Sequence, residues 1–236
     1  MNAGRPEFDK LSGSYEDLLK DPIRDRFTGP RTGFFHLRKR DLILDYFRRR
    51  GVETHRLDYL DVGCGKGELL TLMHGDFARV SGCDPSQGML DAGSLRSKGI
   101  EARPQPSAQE LPFEDRRFDF ITAVCVLHHV APNLRASLVA EVHRVLRPGG
   151  CFAIIEHNPL NPVTRLIVSR TPVDADAVLL RAAEARRLME GAGFRVEEQE
   201  YFLFLPERVY RAVGRWEPAL KRFPLGGQYA VFGLRS

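Results

Sequence analysis

Gly63, Gly65 and Gly67 interrupt an apolar run that ends at Asp61 and Val62, and Glu68 opens the pattern that follows. A second short apolar run ends at another acid, Asp84. Residues without a Cβ tolerate positive φ and let a ligand lie against bare main chain. A carboxylate about 20 residues beyond such a loop can accept hydrogen bonds from ribose hydroxyls. These residues suit the chemistry of holding a nucleoside at a strand-to-helix turn.

The spacing narrows which nucleoside. In a dinucleotide fingerprint counted from Gly63, the third glycine falls at Glu68, where a carboxylate would repel a pyrophosphate seeking the helix N-terminus. A phosphate-cradling P-loop needs Gly-Lys-Ser/Thr, but Lys66 is followed by Gly67. An acid before the loop and another at the helix start suit a ligand with positive charge and no phosphate. S-adenosylmethionine, with its sulfonium, ammonium and ribose, fits that description, and an NAD-type oxidoreductase does not.

Histidines supply the candidate proton acceptors. His128 and His129 follow the predicted fourth strand and His157 follows the fifth, and an imidazole titrates near neutrality. On a helix or strand the adjacent rings of His128 and His129 are expected to diverge. With no carboxylate or cysteine at ligand spacing beside them, no metal site is expected. Asp174 and Asp176 are acids in a later insertion. His36, His55, His74 and His143 read as surface or helix-packing residues.

The elements that must position these groups alternate. Strands are predicted at Leu57–Val62, Arg79–Asp84, Ile100–Arg103, Phe118–Val124, Cys151–Glu156, Arg195–Phe204 and Gln228–Leu234. Helices are predicted at 37–50, 65–73, 85–97, 133–146 and 182–192, with Arg147-Pro148-Gly149-Gly150 as a helix stop and turn before the fifth strand. The fold class is α/β: a Rossmann-like, seven-stranded, mostly parallel sheet with an antiparallel edge strand and helices on both faces. Residues 1–236 read as a single domain. Residues 1–50 form an N-terminal helical cap and helix, and 55–157 form the cofactor-binding core. Two insertions, 158–180 and 206–227, are too long for ordinary connections and are expected on the substrate side.

Composition bounds the rest. The chain has 236 residues and a formal charge of +4, enough to permit anionic partners but not to require nucleic acid. Its four cysteines, Cys64, Cys83, Cys125 and Cys151, form no CxxC pair and lie in or beside apolar segments, as expected for buried thiols in a reducing compartment. With no apolar leader at residues 1–6 and no membrane-length run, a soluble cytoplasmic protein is expected. The clusters Arg48-Arg49-Arg50 and Arg208, Arg211, Arg215, Lys221, Arg222 read as solvated helix faces. Phe202, Phe204, Tyr210 and Trp216 hint at an apolar wall.

Beyond the glycine loop and Asp84, further segments resemble the class I S-adenosylmethionine-dependent methyltransferases, in particular their broad small-molecule, quinone-biosynthesis-like group. They are Ser107-Ala108-Gln109-Glu110-Leu111-Pro112-Phe113, Arg117–Ile121 through Val126-Leu127-His128-His129-Val130, and Glu141–Gly150. The resemblance is dense over 55–157 and looser beyond. It implies S-adenosyl-L-methionine as cofactor. Gly63 and Gly65, with neighbouring Asp61 and Cys64, would face its methionine portion. Asp84 would bind the ribose, with Pro85 beside it and Met89 against the adenine. Ala108 and Gln109 would flank the adenine edge, with Ser107 at a position that is usually acidic. Val124 and Cys125 would meet the methionine amino group, and Tyr15 resembles a tyrosine that closes over the cofactor. The implied activity is methyl transfer to a small molecule, oxygen being the favoured acceptor. A non-catalytic cofactor-binding partner protein and an RNA methyltransferase are the alternatives. The Asn/Asp-Pro-Pro-aromatic motif of nucleic-acid amino methylation is missing after strand four, so nucleic acid is not the expected partner.

Overall fold

The computed structural model describes residues 33–236 together with Gly13. Most of the expected 1–36 cap, including Tyr15, lies outside the described residues. The first described helix, α1 (Gly33–Arg49), has an apolar stripe of Leu42, Ile43, Tyr46 and Phe47 that faces inward.

Five strands run parallel: β1 (Asp58–Val62), β2 (Arg79–Asp84), β3 (Glu101–Pro104), β4 (Phe118–Val124) and β5 (Leu146–His157). They alternate with α2 (Glu68–Met73), α3 (Gln87–Ala92) and α4 (Arg135–Val145). Beyond β5 come α5 (Pro162–Arg170), α6 (Ala182–Gly191), β6 (Phe194–Phe202), α7 (Glu207–Val213) and β7 (Gln228–Arg235). The sheet order is β3-β2-β1-β4-β5-β7-β6. The strand that runs against the rest is β7, one place in from the edge, and β6 closes the sheet by pairing antiparallel with it.

Period-two alternation builds two cores. Leu60, Val62, Phe152, Ile154, Tyr229 and Val231 pack toward α4 and α6. Tyr59, Phe120, Ala153, Ile155, Ala230 and Phe232 pack toward α1, α2 and α3. On the second face Tyr46 stacks on Phe232 with centroids 4.0 Å apart, and Tyr59 and Phe77 both stack against Phe120. A large ring of this kind removes roughly 150–250 Å² from water.

Two local expectations need correction. Arg147-Pro148-Gly149-Gly150 is not a turn ahead of β5 but an irregularity inside it. Phe118 pairs with Leu146 and Phe120 with Cys151, so the extra residues bulge from the strand with Gly149 at φ +76°. The third helix ends early because Gly93 lies against the glycine loop, where an added Cβ would sit 2.2 Å from the Lys66 carbonyl oxygen. No helix among the described residues is long and apolar enough to cross a membrane.

The strand ends divide the labour. At the amino ends, Asp58 and Asp119 are tied to Arg79 and Arg147, and the Arg79 hydrogen bond holds the Asp58 carboxyl below its usual range. The carboxyl ends open onto a cavity, the location expected for ligands of a parallel sheet.

Candidate functional site

The cavity has a volume of about 350 Å³. Its floor is the turn between β1 and α2, with Asp61, Gly63, Cys64, Gly65, Lys66 and Glu68, together with the ends of β4 and β5 at Val124, Cys125 and His157. Gly63 and Gly65 have φ of +70° and +55°. An added Cβ would strike Val126 from Gly63, whereas from Gly65 it would meet nothing within 4 Å.

The walls come from segments far apart in sequence. Helix α1 supplies Phe34, Phe35, His36 and Lys39. Both insertions contribute, Thr164, Ile167, Val168 and Asp174 from the first and Pro206 and Gly227 from the second, with Phe204 just ahead of it. They also bond to one another. Asn158 Nδ2 donates to the Pro224 and Gly226 carbonyls at 3.0 and 2.8 Å, Asn161 Nδ2 to Leu225, and Thr164 Oγ1 to Gly227. Buried Glu217 accepts the Phe204 N–H at 2.7 Å and pairs with Arg38, fastening this roof to α1. The expected aromatic wall is dispersed. Phe204 lines the cavity, Phe202 is in the core, Tyr210 packs on Phe34 and Arg38, and Trp216 is 65% exposed.

Several predicted residues lie outside this lining. Asp84 sits beneath the loop, its Oδ2 accepting the Gly65 N–H and its Oδ1 the Ser86 N–H, both at 2.8 Å. Met89 is buried at the start of α3, where its N–H is capped by Ser86 Oγ. Pro85, Ser107 and Gln109 are exposed and Ala108 is half-buried. His36, read as a surface or helix-packing residue, lines the cavity instead.

The three candidate bases lie together, with the His128 and His157 ring centroids 5.2 Å apart, but differ in their surroundings. His157 lines the cavity, with its Nδ1 3.5 Å from Gln228 Nε2. His128 is buried, with Nδ1 2.6 Å from Glu156 Oε2 and Nε2 3.5 Å from Asp174 Oδ1. Burial opposes its charge, but Glu156 and Asp174 prevail and raise its pKa to about 10. His129 is pushed down to about 4, first by burial and then by His128. The rings of His128 and His129 do not diverge as expected. Their centroids are 4.1 Å apart, because residues 127–129 form a tight 3₁₀ turn, and Asp174 reaches both Nε2 atoms.

Two acid–base groups meet at the cavity floor. Asp61 is buried, and burial lifts its carboxyl to about 7 even though Thr122 Oγ1 donates to it at 2.6 Å and Lys39 lies nearby. Cys125, directly after β4 at φ +56°, has a thiol drawn down to about 7. Burial alone would raise it, but Lys39 and His157 outweigh that. Lys39 Nζ stands 3.7 Å and Gln228 Nε2 3.4 Å from its sulfur.

Iodoacetamide is therefore expected to alkylate Cys125 with a rate midpoint near pH 7, several-fold faster at neutral pH than an ordinary thiol with pKa about 8.5. Buried Cys64, Cys83 and Cys151 have pKa values raised by burial and should stay unlabelled in the native protein. Peptide mapping that finds a buried thiol labelled first would contradict this.

Lys39 and Gln228 were missed in the sequence. Lys39 lies on the apolar stripe of α1, at i−3 and i−4 from Leu42 and Ile43, and a lone lysine there was its only signal. Gln228 opens a strand like any polar flanking residue, yet its Oε1 is buried with no hydrogen-bond partner among the described residues.

The model of the methyltransferase domain family matches residues 60–154, from within β1 into β5. Residues 60–154 thus carry a methyltransferase domain, similar to those of the class I S-adenosylmethionine-dependent methyltransferases. It is 36% identical over 116 residues to a demethylmenaquinone methyltransferase of Symbiobacterium thermophilum, covering 46% of this chain and 45% of that protein. It is 32% identical over 161 residues to a "probable S-adenosylmethionine-dependent methyltransferase" of Mycolicibacterium smegmatis, covering 65% and 60%. The matches thus span only about half the length of these curated relatives. One similar solved structure is the complex between the Haloferax volcanii Trm112 methyltransferase activator and a methyltransferase. The matched chain has a TM-score of 0.66 at 21% identity, with 98% of each chain covered, a likeness of fold.

The cofactor of proteins with this domain is S-adenosylmethionine, and the cavity floor has the charge and space to suit its methionine end. Asp61 and Glu68 place carboxyl groups toward a cation, Gly65 leaves room that a Cβ would fill, and Gln228 Oε1 has no hydrogen-bond partner among the described residues.

Proposed function

We propose that this chain transfers a methyl group from S-adenosylmethionine to an oxygen atom of a small, largely apolar molecule. The observation that carries this reading is the continuity of one cavity. The acidic glycine-loop floor and the apolar roof of Ile167, Val168, Leu203 and Phe204 enclose a single space. In this reading Asp61, Gly63, Gly65 and Gln228 hold the methionine end of the cofactor, Lys39 faces its carboxylate, and Asp84 takes the ribose. When bound, the cofactor supplies a methyl carbon activated by a positive sulfur. Alignment and exclusion of water then provide much of the rate gain, and the roof tied to α1 serves both. His157 receives the acceptor's hydroxyl proton. The relative named as a demethylmenaquinone methyltransferase supports a ring-bearing small acceptor.

RNA is less well served. Arg49, Arg50 and Lys221 converge on Glu198 at 2.9, 3.1 and 2.9 Å, with Glu200 3.8 Å from Arg49 and 3.6 Å from Lys221, so this cluster faces two acids rather than presenting a bare basic patch to a phosphate backbone.

The test is calorimetric titration with S-adenosylmethionine and S-adenosylhomocysteine, followed by methyl transfer to a panel of hydroxylated aromatic compounds. His157→Ala is expected to lower turnover by roughly a hundredfold or more at unchanged cofactor affinity. Failure to bind either nucleoside, or transfer to RNA with small molecules inert, sinks the proposal.

The pH dependence follows from Asp61. A cationic ligand prefers its ionised form, so cofactor affinity should fall by up to about tenfold per pH unit below pH 7, and Asp61→Asn should flatten that profile. For folding the sign is opposite. The native carboxyl titrates near 7, above its unfolded value of about 3.9, so the free protein loses stability as pH rises between them and Asp61→Asn should melt higher above pH 7. A wild-type affinity profile that is flat from pH 5.5 to 8 would remove Asp61 from the cation site.

A further inference from the structure

We propose that His128, His129 and Asp174 form a binding site for a divalent transition-metal ion at the edge of the cavity, with Glu156 orienting His128 from behind. Asp174 Oδ1 lies 3.5 Å from His128 Nε2 and 3.5 Å from His129 Nε2, and all three ligand atoms fall within 4.8 Å of one another. A charge-assisted hydrogen bond would draw such atoms to about 2.7–2.9 Å. Ligands at about 2.0–2.1 Å from a common ion stand roughly 3.0–3.4 Å apart, close to the two spacings from Asp174 here.

The surroundings match a built metal centre. Glu156 Oε1 accepts the Val126 and Leu127 N–H groups at 2.9 and 2.7 Å, and its Oε2 takes His128 Nδ1 at 2.6 Å. The carboxylate is thereby occupied as an orienting group, and the histidine turns Nε2 toward Asp174. This carboxylate–histidine–metal relay is the arrangement that fixes a ligand's tautomer. A proton on His128 Nε2 bridges to Asp174 alone, whereas an ion bridges all three atoms. Two histidines and one carboxylate leave coordination positions open, the donor set of zinc or non-haem iron(II) sites. Asp174 also lines the cavity, so the open positions lie beside the space assigned to the acceptor, where an oxygen of that molecule can complete the shell. The carboxylate comes from the first insertion and the histidines from the turn after β4, so a bound ion would clamp the roof to the floor.

The site stands on its own geometry and needs no methyl-transfer activity to be tested. Full-length protein stripped with a chelator would be titrated with Zn²⁺ and, separately, Co²⁺, following heat and visible absorption. One equivalent per chain is expected, with a visible Co²⁺ band. Asp174→Asn and His129→Gln should each weaken binding by tenfold or more and bleach that band. His55→Gln, at an exposed histidine outside the site, should leave both unchanged. Melting midpoints show whether the variants remain folded. Failure to bind either ion, or unaltered binding in both site variants while they remain folded, overturns the proposal. Cofactor titration on the same samples is a separate readout and reports on the methyl-donor site alone.

Discussion

Asp84→Ala is expected to weaken S-adenosylmethionine binding by a hundredfold or more in calorimetric titration, while melting remains a single cooperative transition. The carboxylate already accepts the Gly65 and Ser86 N–H groups at 2.8 Å each. Those two bonds use about half of the roughly four acceptor positions a carboxylate offers. Bonds to a charged acceptor contribute about 1.5–3 kcal/mol each, so if the two remaining positions take the ribose as proposed, losing them corresponds to more than two decades of affinity. The variant also leaves the Gly65 N–H without its acceptor and loosens the loop that the cofactor lies on. Asp84→Asn separates the two roles, because its one amide oxygen can still accept one backbone N–H. Its affinity should fall between wild type and alanine. Wild-type affinity in Asp84→Ala would move the ribose to another acceptor.

Glu156→Ala is expected to cost about 3–5 kcal/mol in urea denaturation, the range for removing one partner from a buried charged pair. Glu156 is fully buried and holds three donors, the Val126 and Leu127 N–H groups and His128 Nδ1. It therefore pins the turn after β4 to the end of β5, and with it Cys125 in its left-handed conformation. A non-glycine residue held there stores strain of about 1–3 kcal/mol, which the surrounding bonds must override. Glu156→Gln keeps an acceptor and fills the volume, so it should lose less. An alanine variant as stable as wild type would show that the turn holds itself.

The glycine loop was legible because it is local. Gly63, Gly65 and Asp84 act through main-chain geometry within a single strand–helix–strand unit. Their types are dictated there whatever the rest of the chain does, and β2 and β4 begin and end where alternation and turn residues predict. The bulge at Arg147–Gly150 was misread because a proline–glycine run signals a break without saying whether the ladder resumes. The rest of the cavity was nearly illegible. Its walls join residues from positions 34 to 228, and each side chain alone looks like ordinary helix or loop composition. Adjacent histidines in a regular element would point apart. Only the tight turn at Leu127–His129 and the return of the first insertion bring both toward Asp174.

The sequence by itself therefore determined the α/β series, the glycine turn and the acid at Asp84 beneath it, since period-two burial and glycine backbone freedom are properties of short segments. Tertiary structure alone decided that Lys39, His36 and Gln228 face the cavity and that the two insertions bond into one roof. It also decided that His128 is held between Glu156 and Asp174 while His157 stays at the cavity. Those outcomes depend on burial, charge and hydrogen-bond partners brought together across the sheet, and such interactions exist only once the chain has closed on itself.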